Sequence, residues 1–330
     1  MDHELVFMQR VRGLPSDKSL PIGLCNYINN VVNIDSKGRV FICLCEAWLP
    51  WSIGHVMDFD SLDEIWQHPL AQDIRSNQDV GTYKYCDTPT CAVAASPRLL
   101  SGIQIYLGFD DSCQLSCASC RQEQIYERDF DHKLPWAERV ISWVQKRSDP
   151  ERINILIGSH GDPFASGLYK KVMQELSVLP VRFQLRTNGL LINKHLTELN
   201  ILDRLTELEI SIDAGTATTY EQVRRPAKWA SLIANLEYLI ALRRTNQFDV
   251  KANFVVQRAN VAEMIDFFKL CVHYDMEPNY TLLQDWHTFN YRNEAVHLPS
   301  HPDHKKFLDI ATLPSIAPYI GGSFDRWTKS

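Results

Sequence analysis

The rhythm of hydrophobic and polar positions changes near residue 100. Beyond it, short apolar runs alternate with longer amphipathic stretches. The runs at 102–107, 152–157, 181–186, 206–212, 248–256 and 278–283 read as strands, and 136–147, 167–177, 227–243 and 261–273 carry helical patterns. Pro135 sits at the opening of the first of these helices, where a missing N–H costs nothing. Strand–helix units in series predict an α/β fold with a parallel sheet and right-handed crossovers. An open or partial barrel fits at least as well as a doubly wound sheet. In either, functional groups collect at the C-terminal strand ends.

Before residue 100 the pattern is less regular. Val31-Val32-Asn33-Ile34 and Arg39-Val40-Phe41-Ile42 read as two short strands joined through Asp35-Ser36-Lys37-Gly38, a hairpin with glycine near its turn. Ser61 followed three residues later by Glu64 predicts a helix start with Ser61 as N-cap. Ala94-Ala95-Ser96-Pro97 reads as a linker. No repeat or low-complexity segment stands out.

Charge narrows the picture. A net charge of −6 argues against a nucleic-acid partner, which leaves a basic footprint. The pairs Arg224-Arg225 and Lys305-Lys306 are short and read as surface charge. No apolar run reaches the ~20 residues that cross a bilayer. No basic start followed by an apolar stretch marks a signal peptide, so the expected setting is cytoplasmic, without a membrane partner.

Cysteine changes the picture most. Of nine cysteines, eight lie between positions 25 and 120: Cys25, Cys43, Cys45, Cys86, Cys91, Cys113, Cys117 and Cys120. In a reducing compartment such clustering points to metal rather than disulfides. Cys271 lies in an apolar helical pattern and is expected to be a buried thiol. Cys113, Cys117 and Cys120 are spaced C-x3-C-x2-C just after the first strand of the repeating region. Three thiolates this close ligate three irons of a cubane and leave the fourth iron open. A zinc site lacking one ligand is the competing reading of the spacing alone.

This triplet resembles the motif of the radical S-adenosylmethionine (SAM) superfamily. Over roughly residues 100–290, further landmarks follow in the family's order. Gly158-Ser159-His160-Gly161-Asp162-Pro163 resembles the Gly-Gly-Glu-Pro motif that holds the SAM amino group, with His160 in place of a glycine and Asp162 in place of the glutamate. Thr187-Asn188-Gly189 resembles a common strand ending, and Ser119 departs from the usual aromatic before the third cysteine. Ser211-Ile212-Asp213-Ala214 and Tyr220-Glu221-Gln222-Val223-Arg224 fall where relatives contact the SAM ribose and carboxylate, which implies Ser211 and Arg224. Val255-Val256-Gln257 before Asn260, and the backbone near Leu282, fall where relatives touch adenosine. The implied cofactor-binding residues are His160, Gly161, Asp162, Ser211, Arg224, Val256, Asn260 and Leu282.

The spacing C-x12-G-x4-C from Cys25 through Gly38 to Cys43 resembles the start of SPASM and twitch domains, which bind auxiliary iron–sulfur clusters. The resemblance implies one auxiliary [4Fe–4S] cluster on Cys25, Cys43, Cys86 and Cys91, with Cys45 competing for a place. If the strand continued, Cys43 and Cys45 would share a face. A four-thiolate zinc site is the alternative. Such domains usually follow the core; here it comes first.

The resulting expectation is a partial (β/α)6 radical SAM barrel over 99–290, an N-terminal cysteine-rich domain over 1–98 and a C-terminal extension over 291–330. The implied activity is reductive cleavage of SAM to a 5′-deoxyadenosyl radical, which abstracts hydrogen from a substrate carbon for oxidation, epimerisation or bond formation. An external donor such as flavodoxin or ferredoxin would supply electrons. With no separate leader-peptide-binding domain apparent, a small molecule or carbohydrate is favoured over a ribosomally made peptide. A non-catalytic iron–sulfur or zinc module is the alternative of a different class. Asp285 and His287, after the sixth strand, are the candidates for substrate contact or proton transfer. The stretch His297-Leu298-Pro299-Ser300-His301-Pro302 reads as a loop leading into a helix rather than a metal site.

Overall fold

The N-terminal hairpin is present as expected, but it does not stand alone. In this computed structural model, which describes residues 25–45, 48–87, 91 and 100–320, the chain divides into two compact units. The first unit draws on residues 1–110, 129–160 and 178–182, and the second on 111–128, 161–177 and 183–330. The linker read at 94–97 lies outside the described residues.

In the first unit a single turn, α1 (Tyr27–Asn30), leads into β1 (Val31–Ile34), which pairs antiparallel with β2 (Arg39–Phe41). Gly38 makes the turn at φ +75°, and a Cβ there would come within 2.3 Å of the His55 imidazole, so only glycine fits. The Asp35 carboxylate accepts hydrogen bonds from the Lys37 and Arg39 amides and fixes the loop. β3 (Gly54–His55) pairs antiparallel with β2. Then come α2 (Leu62–Gln67), whose N-cap Ser61 accepts the Glu64 amide as the sequence predicts, and α3 (Pro69–Asp79). Losing such a cap costs about 1 kcal/mol.

β4 (Ile103–Leu107) is buried at all five positions and lies parallel to β1 on one side. After α4 (Leu134–Gln145), β5 (Ile153–Ile157), equally buried, lies parallel to β4 on the other side. Strands buried along their whole length, Gln104 and Asn154 included, suit a parallel sheet covered on both faces. The strand order of the unit is therefore β3-β2-β1-β4-β5. Helix α4 is fastened to the cysteine-rich stretch: Trp143 Nε1 donates to the Phe59 carbonyl at 2.9 Å, and Arg147 pairs with Asp63 at 3.0 Å.

The second unit runs on through α5 (Gly167–Leu176), β6 (Arg182–Thr187), α6 (Ile192–His195), β7 (Leu205–Ser211), α7 (Ala217–Val223), α8 (Trp229–Arg243), β8 (Asp249–Val256), α9 (Met264–His273), β9 (Glu277–Leu282), α10 (Tyr291–Glu294) and α11 (His304–Ala311). Its strands are all parallel, in the order β6-β7-β8-β9. One face of the sheet is apolar: Phe254 and Tyr280 pack against Phe267 of α9 with ring centroids 4.8 and 5.4 Å away, and Tyr280 donates to the Met264 carbonyl at 2.7 Å. Cys271 is fully buried under this face, as its sequence context implied.

All six strands and four helices expected beyond residue 100 form, and the α/β class holds. The hairpin differs in one respect. β2 ends at Phe41, so Cys43 and Cys45 do not share a strand face; the chain turns away at Ile42.

Candidate metal centres

The loop that carries Cys113, Cys117 and Cys120 belongs to the second unit. It is short of regular structure and so must be tied down by other segments. Cys113 forms an isolated antiparallel bridge with Ile125, closing the loop on itself. The Ser116 amide donates to the Arg225 carbonyl at 2.7 Å, and the Ala118 amide to the Val223 carbonyl at 3.0 Å. Thr288 Oγ1 donates to the Cys120 carbonyl at 2.9 Å. Cys113 and Cys117 are buried and Cys120 is exposed.

Each thiol has a polar neighbour. Asn188 Nδ2 lies 3.8 Å from Cys113 Sγ, and the Asn188 and Gln114 amides bond to each other at 2.9 and 3.2 Å. Arg224 Nη1 lies 3.6 Å from Cys117 Sγ. Arg121 interacts with the thiols of Cys120 and Cys113, and its Nη1 donates to the Asp111 carbonyl at 2.6 Å. Burial pushes the Cys113 thiol up to about 11, and burial likewise raises Cys117, opposed by Arg224.

Arg224 sits just past α7 and its Nη2 lies 2.7 Å from Asp213 Oδ2; both side chains are nearly out of water. Burial opposes the guanidinium charge, but Asp213 and Cys117 outweigh it and hold its pKa above the ordinary arginine value. Asp213 is itself fixed. It takes a left-handed conformation at φ 59°, its Oδ1 accepts the Val255 amide at 2.7 Å, and its carbonyl accepts Asn260 Nδ2 at 2.9 Å. Asn260 is fully buried, and its Oδ1 accepts the Gln257 amide. Asn260 thus holds the strand ends together, a contact from which a bound nucleoside would profit only indirectly.

Asp162, in the position of the motif's glutamate, already has protein donors on both oxygens. It is buried; Oδ2 accepts Thr187 Oγ1 and the Asn188 amide, both at 2.8 Å, and Oδ1 accepts the Phe164 amide at 3.0 Å. Its visible work is to orient Thr187-Asn188, and through Asn188 the Cys113 thiol. Gly161 beside it has φ 66°, which suits glycine there.

The second face of the β6–β9 sheet is polar. Register aligns Arg186, Glu209, Lys251 and Glu277 across the four strands, and Ser211, Asn253 and Asn279 two residues further along. Arg186 meets Glu209 at 3.3 Å. Asn253 Oδ1 accepts Asn279 Nδ2 at 3.1 Å and Thr281 Oγ1 at 3.3 Å. Asn188 follows the last residue of β6, level with Ser211, so the amide row leads to the Cys113 loop. Val256 and Leu282 end β8 and β9; Val256 is buried and Leu282 half-buried.

In the first unit, four thiols act on one another. Cys43 feels Cys86, Cys25 and Cys91; Cys86 feels Cys91 and Cys25. These are the four ligands implied by the sequence resemblance. Burial is the main cause of the raised pKa values of Cys25, Cys43 and Cys86, bringing Cys86 to about 12. Neutral N–H groups face them: the Tyr27 amide to Cys25 Sγ at 3.4 Å, the Cys45 amide to Cys43, and Gln78 Nε2 to Cys86 Sγ at 3.4 Å. Cys25 and Cys91 also pack against Tyr27, Val31, Tyr106 and Leu156. His160, half-buried in the same unit, rests on Gly108; a Cβ there would meet its ring carbon at 2.8 Å.

Asp285 and His287 lie on an exposed loop. The His287 amide donates to Asp285 Oδ1 at 2.9 Å, and Thr288 beside them is the residue bonded to Cys120. The His297–Pro302 stretch is a loop before α11, with His301 and His304 spent on main-chain carbonyls. Sequence reading missed Asp213 as the partner of Arg224, and Arg121, Asn188 and Gln78 as thiol neighbours. Only Asn188 carried a signal, in the Thr-Asn-Gly strand ending.

Among the described residues no three His, Cys, Asp or Glu side chains already close on a point as a bound ion would draw them. The donor chemistry nonetheless fits iron–sulfur clusters: two sets of thiols, close enough to repel as thiolates, each with N–H donors.

Residues 25–92 match the family model of SPASM, an iron–sulfur cluster-binding domain. This stretch carries the SPASM pattern. It contains Cys25, Cys43, Cys45, Cys86 and Cys91, so the SPASM segment precedes Cys113, Cys117 and Cys120, as expected. No curated protein matches the chain. Similar solved structures include Streptococcus suis SuiB bound to precursor peptide SuiA, at 15% identity over 68% of this chain and 46% of that one, TM-score 0.39. They also include native anSMEcpe with bound AdoMet, at 15% identity over 55% and 52%, TM-score 0.39. A radical SAM methyltransferase from Sphaerobacter thermophilus is similar at 14% identity over 52% and 52%, TM-score 0.36. The chain spans about half the length of SuiB. Among the described residues no helix is long and apolar enough to cross a membrane.

Proposed function

We propose that the chain is a radical SAM enzyme with a SPASM auxiliary-cluster segment, organised as residues 1–98, 99–290 and 291–330. The observation that carries this reading is the cysteine loop 113–120, tied to strand and helix ends through Asn188, Arg224 and Thr288. Cys113, Cys117 and Cys120 would hold a [4Fe–4S] cluster with one open iron. When bound, that cluster and SAM supply the electron transfer and the 5′-deoxyadenosyl radical that removes a substrate hydrogen. Cys25, Cys43, Cys86 and Cys91 would hold a second cluster with no open iron.

The chain's own groups do the rest. Gly161, Ser211, Val256, Asn260 and Leu282 form or support the strand-end surface offered to SAM. Asp162 acts on that surface through Thr187 and Asn188. The polar row Ser211, Asn253 and Asn279 suits a substrate rich in hydrogen-bonding groups, a carbohydrate or other polar small molecule. The same row suits the amides of a peptide, which is the second reading. Asp285 and His287, in the same loop as the Thr288 that bonds the Cys120 carbonyl, would contact substrate or move a proton.

The test is anaerobic reconstitution with iron and sulfide, then SAM and dithionite. About eight irons per chain are expected, four from each cubane, together with 5′-deoxyadenosine. A reconstituted protein that binds iron but forms no 5′-deoxyadenosine overturns the reading.

A further inference from the structure

A buried guanidinium is costly unless its charge is met. The Arg224 side chain is 11% exposed, and two groups meet it: Asp213 Oδ2 at 2.7 Å and Cys117 Sγ at 3.6 Å. One rigid fork thus spans a carboxylate and a thiol. Its Nε is buried without a hydrogen-bond partner, as is the hydroxyl of Tyr220, four residues earlier and within electrostatic reach of both Cys117 and Arg224. A side chain reserved for the SAM carboxylate would be turned toward open space. This one is turned toward the thiol and locked from behind by Asp213, which is itself pinned by the Val255 amide and Asn260.

We propose that Arg224, clamped by Asp213, is a positioning residue that sets the reduction potential of the cluster on Cys113, Cys117 and Cys120. The inference rests on the radical SAM reading. Reduction adds one negative charge to the cluster. A fixed cation and an N–H directed at a ligand sulfur stabilise the reduced form more than the oxidised form, and so raise the potential. Asp213 acts in two ways. It holds the guanidinium in place, and its own charge cancels part of the cation's field. Asparagine at 213 tolerates the left-handed backbone and keeps an oxygen for the Val255 amide; its Nδ2 cannot accept from Arg224, so Asp213→Asn removes the charge and leaves the Cys117 sulfur as the guanidinium's remaining anionic partner.

The full chain, reconstituted anaerobically and free of SAM, is titrated potentiometrically with detection by electron paramagnetic resonance. The signal followed is the one whose line shape changes when SAM is added to a parallel sample. Arg224→Met is expected to lower its midpoint potential, Asp213→Asn to raise it, and Arg224→Lys to recover part of the loss. Iron content and circular dichroism check each variant. If Arg224→Met does not retain its cluster, the upward shift of Asp213→Asn decides. If Asp213→Asn does not, the comparison of Arg224→Lys with Arg224→Met decides. Midpoints equal to wild type, or shifts of one sign in both Arg224→Met and Asp213→Asn, overturn the proposal even if SAM binding weakens. A wild-type protein with no SAM-sensitive signal overturns the radical SAM reading itself, and the proposal with it.

Discussion

The two sets of thiols are built from the same residue in opposite electrostatic settings. Burial is the largest influence on the buried thiols of both sets, but Cys25, Cys43 and Cys86 face neutral N–H groups. Cys113, Cys117 and Cys120 face the guanidinium groups of Arg121 and Arg224. A cluster on the second set would be helped to accept an electron by its guanidinium neighbours. The contrast shows why a count of cysteines is a poor guide to role. What differs lies around the sulfurs.

The largest expected effect breaks the contrast at its cationic side. Replacing Cys113, Cys117 and Cys120 together by alanine should abolish 5′-deoxyadenosine formation under dithionite, while the SPASM segment keeps about four irons. Cleavage at the wild-type rate in that variant would place SAM elsewhere.

An intermediate effect is expected on the neutral side. Cys86→Ala with Cys91→Ala should lower the iron content by about four per chain and leave substrate-free SAM cleavage largely intact. Metal loss can unfold a small segment. The segment here is also held by β1–β4 pairing and by the Trp143–Phe59 bond, so the circular dichroism spectrum should change little. A variant that loses all iron and all cleavage would show that the two sites are not independent.

Much of this was legible in the chain before any coordinates. The strands at 103–107 and 153–157 are apolar except at Gln104 and Asn154, and the Ser61 cap is a local signal read over three residues. The spacing from Cys25 through Gly38 to Cys43 carried the SPASM resemblance, and residues 25–92 match that family model. What the chain did not disclose depends on pairings distant in sequence. That β1 lies beside β4 joins residues some seventy positions apart and has no local pattern. The end of β2 at Phe41, which keeps Cys43 and Cys45 off a shared strand face, falls where its pairing with Asn33 of β1 ends. Arg224 reaches across 107 positions to Cys117. Its place after α7 shows only that it is near the strand ends, not which anion it meets. Asp162 looked like an acceptor for a ligand because its motif says nothing of the three donors that already fill it.

The smallest expected effect sharpens the comparison. Gln78 is buried, its Nε2 donates to Cys86 Sγ at 3.4 Å, and its Oε1 is buried without a partner. Gln78→Leu removes one neutral N–H···S contact and one orphaned acceptor together. The lost hydrogen bond costs about 1 kcal/mol, and relief of the unmet carbonyl offsets a similar amount, so the melting temperature should move by only a few degrees. The auxiliary cluster should still assemble, since all four sulfurs remain. Its midpoint potential should fall, because one donor that stabilises the reduced form has gone. The fall should be smaller than that produced by Arg224→Met at the other cluster, since a neutral dipole has been lost rather than a charge. Potentiometric titration of both variants under one set of conditions measures the two shifts side by side. If Gln78→Leu moves its cluster as far as Arg224→Met moves the other, charge is not what separates the two sites, and burial alone must carry the difference.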